Sequence, residues 1–417
     1  MKNSISILHI ADLHFGMENY GHTNPSTGLH TRLEDFSNSL KQAIDYAVDL
    51  PVDLAVFAGD AYKRNSPSPT EQRELVKHFQ RLADAGIPVV MISGNHDIPV
   101  MHGKASSIDI FRSLRPDMIH VFVNRPTLGD APPPIIETKN GPIAVCCLPY
   151  ISPSFLLNIP QYQDLKGDDL THAFEEFYAS VIRDMQEGLP DDMPRILVSH
   201  LTVHGAQLGG YHGAPLLSDD IQIMPSNLAY SGYDYVALGH IHLHQNLSPR
   251  EEVPVVYCGS IDRVDFGEAE EAKGFVVAHV RRGRSEFEYI PVNVREFVDI
   301  RIKHQEGSDI TQRILEEINL EPIEGAVVRI RYEASEEEVQ QMDMKAIHEA
   351  LRPAHHKAGM IRIPLEKSSD RRGSQLSEDA ALADALAAYL NEHEEFKPEA
   401  QALLEKAKDI EQSIKPQ

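Results

Sequence analysis

Tryptophan is absent from the 417 residues, cysteine occurs three times, and 39 Lys and Arg stand against 63 Asp and Glu. Each shortage excludes something. Cys146, Cys147 and Cys258 have no zinc-type spacing, and the adjacent pair inside "IAVCCLPY" suits a buried strand better than a disulfide. A formal charge of −24 excludes nonspecific polyanion binding by the whole surface, which needs Lys and Arg to replace phosphate counterions; any nucleic-acid contact must be local or metal-assisted. No apolar stretch approaches the ~18 residues that a membrane span needs. The opening "SISILHIAD" reads as a strand, not as a basic n-region followed by an apolar h-region. The expectation is a soluble, cytoplasmic chain without a membrane partner, folded as two or three domains.

What is there is a series of short apolar runs, each ending in a turn. From residue 4 to about 295, "ISILHIAD", "VDLAVFAGD" and "IPVVMISGNHD" alternate with helical segments such as "LEDFSNSLKQAIDYAVDL" and "PTEQRELVKHFQRLADAG". That order predicts an α/β sheet with its functional loops at the carboxyl ends of the strands. Later runs, "PIAVCCLPY", "RILVSH", "YDYVALGH", "VPVVYCGS" and "GFVVAHVRRG", come at closer spacing and predict a second, mixed or antiparallel sheet, hence a layered β-sandwich flanked by helices. Around 296 the pattern changes. Strand-like "FVDIRIKHQ", "AVVRIRYEA" and "GMIRIPLEK" alternate with two helical stretches and predict a small α+β domain over 296–366, with Arg301, Lys303, Arg329 and Arg331 on a charged, solvated face. The polar "KSSDRRGSQ" then leads, within 367–417, into two Ala- and Leu-rich helical segments too short to bury themselves, a pair suited to docking on something else.

A residue of metal-ligand type recurs at five of the strand tips. Asp12 and His14 lie two apart in "HIADLH", and "LAVFAGD" ends at Asp60. "MISGNHD" contributes Asn95, His96 and Asp97, "ILVSH" ends at His200, and "VALGHIH" carries His240 and His242, again two apart. On extended backbone a two-residue step points both side chains the same way. One histidine among 21 is ordinarily a surface or core residue, and one Gly-Asp is ordinarily a turn. Five tips in succession leave that reading little room. Carboxylate and carbonyl oxygens mixed with imidazole nitrogens suit two divalent first-row ions and not a thiolate-bound zinc.

The series D-x-H, G-D, G-N-H-D, H and G-H-x-H resembles the calcineurin-like metallophosphoesterase superfamily over residues 1–295. More narrowly, "YCGSIDRVDFGE" at 257–268, "GDAYKRNSPSP" at 59–69 and the region after 296 resemble the SbcD family, the nuclease subunit that partners the SbcC coiled-coil ATPase in double-strand-break repair. The resemblance implies a four-layer β-sandwich followed by a DNA-capping α+β domain and a helix pair for the ATPase coiled coil. It implies one metal on Asp12, His14, Asp60 and His242 and another on Asp60, Asn95, His200 and His240, with Asp60 bridging. Manganese is the metal the family favours; the oxygen-rich ligand set permits it, or magnesium, without selecting it. His96 would project over the metals and serve the leaving sugar oxygen, with Asp97 orienting its imidazole or capping the following loop. The implied activity is a 3′-to-5′ double-strand exonuclease with single-strand endonuclease activity, working as a homodimer through helices near 70–83 and 104–115. A small-molecule phosphodiesterase or phosphatase of the same superfamily is the alternative.

Some residues fall outside this scheme. His244 lies two beyond His242, but the ligand set is already full, which predicts a solvent or supporting position. His204 is a candidate phosphate contact, and His9 a core neighbour. Lys63 stands three residues after Asp60, where some nuclease relatives carry a histidine, and a fixed cation holds phosphate without carrying protons near pH 7. The stretch 16–32, "GMENYGHTNPSTGLHTR", separates the first strand from the first helix and would shape access to the metals.

Overall fold

Strands that are apolar and buried at every position, as Leu54–Phe57 and Val89–Ile92 are, need two covers, one per face, and the chain supplies both. A computed structural model describes residues 4–99, 104–123, 132–210, 221–229, 232–248 and 253–365, with 386, 390, 401 and 403–407. Four strands begin the fold: β1 (Ile5–Ile10), β2 (Leu54–Phe57), β3 (Val89–Ile92) and β4 (Ile119–Phe122). There follow β5 (Ile135–Thr138), β6 (Gly141–Leu148), β7 (Arg195–His200), a short parallel pair β8 (Thr202–Val203) and β9 (Gln222–Ile223), then β10 (Tyr235–Gly239), β11 (Gln245–Asn246) and β12 (Val255–Tyr257). The hairpin β13 (Gly274–Arg281) and β14 (Arg284–Pro291) returns to β1.

The first sheet runs β14-β13-β1-β2-β3-β4, parallel from β1 to β4. The second runs β11-β12-β10-β7-β6-β5, with four parallel strands between antiparallel edges, so it is the mixed sheet of the two options the spacing left open. Ile5 and Ile7 of β1, Leu54 and Val56 of β2 and Val90 of β3 meet Val145, Val198 and Ala237 of the second sheet in a shared core. The alternate residues, Leu8, Phe57 and Met91, face helices α1 (Thr31–Asp49) and α2 (Pro69–Asp84). Helix α2 starts sharply because Ser68 and Glu71 form a reciprocal capping box and Pro69 is preset for a first turn. On the far side, α3 (Pro153–Leu157) and α4 (Gly167–Asp184) cover the second sheet through Leu156, Phe174, Tyr178 and Ile182, near the short α5 (Pro225–Leu228). The order helix, sheet, sheet, helix is the four-layer α/β sandwich that the alternation predicts.

Arg32 of α1 is fully buried. Its guanidinium pairs with Asp35 at 2.9 Å and Asp262 at 3.7 Å, donates to the Arg263 carbonyl, and lies over the rings of Phe36 and Phe297. Asp35 in turn takes Arg295 at 2.6 Å. Removing one partner of such a network leaves uncompensated buried charge. Arg32→Met is therefore expected to lower stability by about 3–5 kcal/mol, read as a shifted midpoint in urea unfolding. A loss below about 1 kcal/mol would mean that apolar packing alone holds this corner.

Beyond β14 lies a three-stranded sheet in the order β15 (Phe297–Ile302), β16 (Val327–Ala334) and β17 (His356–Pro364), with α6 (Ile310–Leu320), α7 (Glu336–Gln341) and α8 (Met344–Ala350). The chain divides into two compact units, one of residues 1–301, 311–331 and 343–361, the other of 302–310, 332–342 and 362–417. In the first unit Arg301, Arg329 and Arg331 do not form an open basic face: all three converge on Asp299, whose carboxyl they hold down at about 2 against the opposing pull of burial. The helix pair expected within 367–417 lies outside the described residues except for a few helical positions from 386 to 407. No helix among the described residues is long and apolar enough to cross a membrane.

Candidate metal centre

Parallel pairing carries the strand tips to one edge. β1 beside β2 puts Asp12 next to Asp60: the Asp12 amide donates to the Gly59 carbonyl at 3.0 Å and the His14 amide to the Asp60 carbonyl at 3.1 Å. β2 beside β3 brings the Asn95 loop alongside, and β7 beside β10 delivers His200 and His240 from the second sheet. The backbone is bent sharply there. Among described non-glycine residues, positive φ is found at Asp12 (52°), His14 (43°), Asp60 (61°), His240 (100°) and, apart from these, Tyr20. Four left-handed residues at one locus store strain of order 1–3 kcal/mol each, which ordinary loops do not accumulate. Glycines make the crowding possible, for a Cβ on Gly94 would collide with the Asp60 carboxylate and the His200 ring.

All seven expected metal ligands come together. Asp60 is the hub, its Oδ2 lying 3.5 Å from His200 Nε2 and 3.9 Å from the Nε2 atoms of His14 and His96. His14 Nε2 is 2.9 Å from His242 Nε2, and Asn95 Oδ1 is 3.0 Å from His200 Nε2 and 3.1 Å from His240 Nδ1. Asp12 accepts the His240 amide on both oxygens. Three overlapping groups have donor atoms close enough to share an ion: Asp12, His14 and His242; Asp12, Asp60 and His200; and His14, Asp60 and His96.

The donor set fits divalent cations. Lone pairs of two carboxylates, an amide oxygen and four imidazoles converge in a buried space, and such convergence is costly without positive charge among them. The charge interactions within the cluster run the same way. Burial alone would raise Asp60, yet His200, His96 and His14 outweigh it and hold its carboxyl far below the usual range. Burial alone would lower His200, yet Asp60 and Asp12 push it up to about 9. Oxygen and nitrogen ligands without thiolate match manganese or magnesium chemistry as well as zinc.

His96 is placed differently from the buried ligands. Its side chain is 31 % exposed, its amide donates to Asp60 Oδ1 at 2.8 Å, and its Nδ1 lies 2.9 Å from the Lys63 carbonyl. A carbonyl only accepts, so Nδ1 carries the proton and Nε2 is the working nitrogen. Asp97 departs from the expectation that it is catalytic and orients this imidazole. It is fully buried, and its carboxylate accepts the backbone amides of Asp60 (2.9 Å), Ala61 (3.1 Å) and Gly94 (3.0 Å) and the Ser107 hydroxyl (2.9 Å). Burial and the neighbouring Asp60 raise its carboxyl to about 6, against those hydrogen bonds. It clamps the Asp60 loop to the Asn95 loop, and Lys63 supplies the orienting carbonyl.

The remaining histidines are supporting residues or lie apart. His9 bridges the sheets to Tyr235 and Leu238, and His244 stacks on Tyr289 with Nδ1 at 2.8 Å from the Tyr257 carbonyl. His204 is exposed. Contacts that the ligand series does not reveal are those of Tyr150, whose ring flanks His200 and His240, and of Glu268, the last residue of "YCGSIDRVDFGE", whose Oε1 is 2.6 Å from His242 Nδ1. The charges of His242 and Lys273 outweigh burial and hold the Glu268 carboxyl at about 2.

Comparison with known proteins bears on the family of the chain. The family model for calcineurin-like phosphoesterases matches residues 5–244. An uncharacterized metallophosphoesterase of Bacillus subtilis (strain 168), YhaO, is 28% identical over 292 residues, 69% of this chain and 60% of that protein, so the chain spans only about three fifths of that relative's length. Among solved structures, a dimetal phosphatase from Danio rerio is similar at a TM-score of 0.36 and 13% identity, covering 70% of this chain and 100% of its own. GAP50, the anchor in the inner membrane complex of Plasmodium, gives 0.35 and 11%, covering 71% of this chain and 90% of its own. The family match spans more than half of the sequence and includes every strand tip of the centre: this chain belongs to the calcineurin-like phosphoesterases.

Proposed function

We propose that the chain is a two-metal DNA nuclease, a 3′-to-5′ exonuclease on double-stranded ends with single-strand endonuclease activity, and the nuclease subunit of an SbcCD-type repair complex. The observation that carries the reading is His96, a half-open imidazole beside the buried Asp60 hub with its Nδ1 fixed by Lys63. A phosphodiester needs a proton for its departing sugar oxygen, and the Nε2 of this part-exposed ring, beside the Asp60 hub, can supply it when protonated. The pair of divalent ions that Asp12, His14, Asp60, Asn95, His200, His240 and His242 would hold supplies charge neutralisation on the phosphoryl oxygens and activation of water at neutral pH. Asp97 keeps the two loops in register, and the sandwich shuts water out behind them.

DNA is favoured over a small ester by the "YCGSIDRVDFGE" stretch and by the three-stranded sheet that follows the family match. Arg301, Arg329 and Arg331 share the single carboxylate of Asp299, so cationic groups outnumber their partner at that point of a chain of charge −24. Manganese, a cytoplasmic site of action, a homodimer and a coiled-coil ATPase partner for the carboxyl-terminal segment complete the proposal. The test is a substrate panel with manganese: an end-labelled duplex, a nitrophenyl phosphodiester and a nitrophenyl phosphomonoester. The nuclease reading expects shortening of the labelled strand. Rapid turnover of either small ester with the duplex intact would assign the centre to a small-molecule phosphodiesterase or phosphatase.

A further inference from the structure

We propose that Glu268 is a positioning residue for His242, fixing its tautomer and making the half of the centre built from Asp12, His14 and His242 the tighter of the two metal sites. The proposal rests on the two-metal reading and deepens it. Glu268 is fully buried in the 3₁₀ turn Phe266–Glu268, 26 residues beyond the histidine it touches. A carboxylate that pairs with Lys273 and accepts the Val264 amide presents only acceptors to its other neighbours, so the 2.6 Å contact places the proton on His242 Nδ1. The Nε2 lone pair is thereby turned toward His14 and the cluster.

The carboxylate cannot swing away. Its Oε2 accepts the Val264 amide at 2.8 Å and pairs with Lys273 Nζ at 2.9 Å. Lys273 is 1 % exposed and is itself fixed by the Ser260 hydroxyl at 2.9 Å and Glu271 at 2.9 Å. The turn is pinned through Phe266, whose ring meets Tyr20 and Phe297 and lies under the Arg329 guanidinium at 4.1 Å. Two buried charges are thus spent on aiming one imidazole. Two other histidines of the cluster have weaker support: His200 Nδ1 meets the Ala58 carbonyl at 2.7 Å, and His14 Nδ1 is buried with no hydrogen-bond partner among the described residues. A carboxylate behind an imidazole makes it a more basic ligand than a carbonyl does, which is the reason for unequal sites.

Glu268→Gln is the discriminating change because it preserves shape. Two donors, Lys273 Nζ and the Val264 amide, already face Oε2, so the glutamine oxygen stays there and its NH₂ group meets His242 Nδ1. The imidazole must then accept at Nδ1 and turn an N–H toward the metals. The experiment is calorimetric titration of manganese into metal-stripped, full-length protein, with thermal melting of the stripped protein alongside. Wild type is expected to bind two equivalents with separate affinities. In Glu268→Gln the tighter event weakens about 10–100-fold and the other shifts less than roughly threefold, whatever the loss of a buried charge beside Lys273 does to the melting midpoint of the stripped protein. Glu268→Asp, which keeps an acceptor but withdraws it, falls between the two and serves if the glutamine variant does not fold. Unchanged affinities, or an equal weakening of both events, would overturn the role. A wild type that binds no metal would instead overturn the metal centre itself, and the inference with it.

Discussion

Replacing His96 by alanine lowers turnover of a phosphodiester by about 10²–10⁴-fold while manganese binding and the melting midpoint stay as in wild type. The side chain is half-open and makes one hydrogen bond through its ring, to the Lys63 carbonyl, so little of the fold depends on it. Its hydrogen bond to the hub runs through its backbone amide, which alanine keeps, while the ring's Nε2 stays 3.9 Å from the Asp60 carboxylate. The loss is therefore expected in kcat and not in KM, because an interaction made with the leaving oxygen exists only in the transition state. A substrate with a good leaving group, such as a nitrophenyl ester, needs no proton and should be hurt far less than DNA. Equal losses on both substrates would mean that His96 holds the phosphate and does not serve the departing oxygen.

Asp60→Asn is expected to be more severe, with manganese affinity falling by more than the ~10–100-fold typical of residues that only support ligands, and with no measurable cleavage. Asp60 is the negative charge shared among His14, His96 and His200, and it lies within reach of two of the three candidate ligand groups. The amide has nearly the same shape, but it removes the charge and turns a donor toward imidazole nitrogens. The change also leaves the buried imidazoles of His14 and His200 without their shared carboxylate, so a loss of stability in the metal-free protein is expected beside the loss of metal. Circular dichroism and metal analysis of the purified variant separate the two effects. A variant that retains both ions would show that Asp60 is not the bridge.

The legible part of the site was the part written in consecutive residues. Asp12 and His14, Asn95 and His96, and His240 and His242 sit within single strand tips, and a parallel sheet brings successive tips to one edge whatever the details of packing. Roles set by distant backbone were not legible. Asp97 follows His96 in the chain, yet its partners are the amides of Asp60 and Ala61, 37 and 36 residues earlier, which no local pattern announces. Glu268 stands 26 residues from His242, and the 3₁₀ turn that aims it leaves no periodic signal. The arginines of β15 and β16 alternate as a solvated basic face does, but Arg301 from the same strand and Arg329 and Arg331 from the next all pair with Asp299. The second sheet's parallel core was hidden for a related reason: β6, β7, β10 and β12 are separated by connections of different length, and parallel and antiparallel strands have the same apolar spacing.

The most direct test of the central claim is cleavage of an end-labelled duplex by metal-stripped protein as manganese is added back in known equivalents. The account predicts negligible cleavage at one equivalent and full activity once two are bound, since Asp60 joins two sites in one reaction centre. Full activity at one equivalent, or an intact duplex with two ions bound, would contradict it.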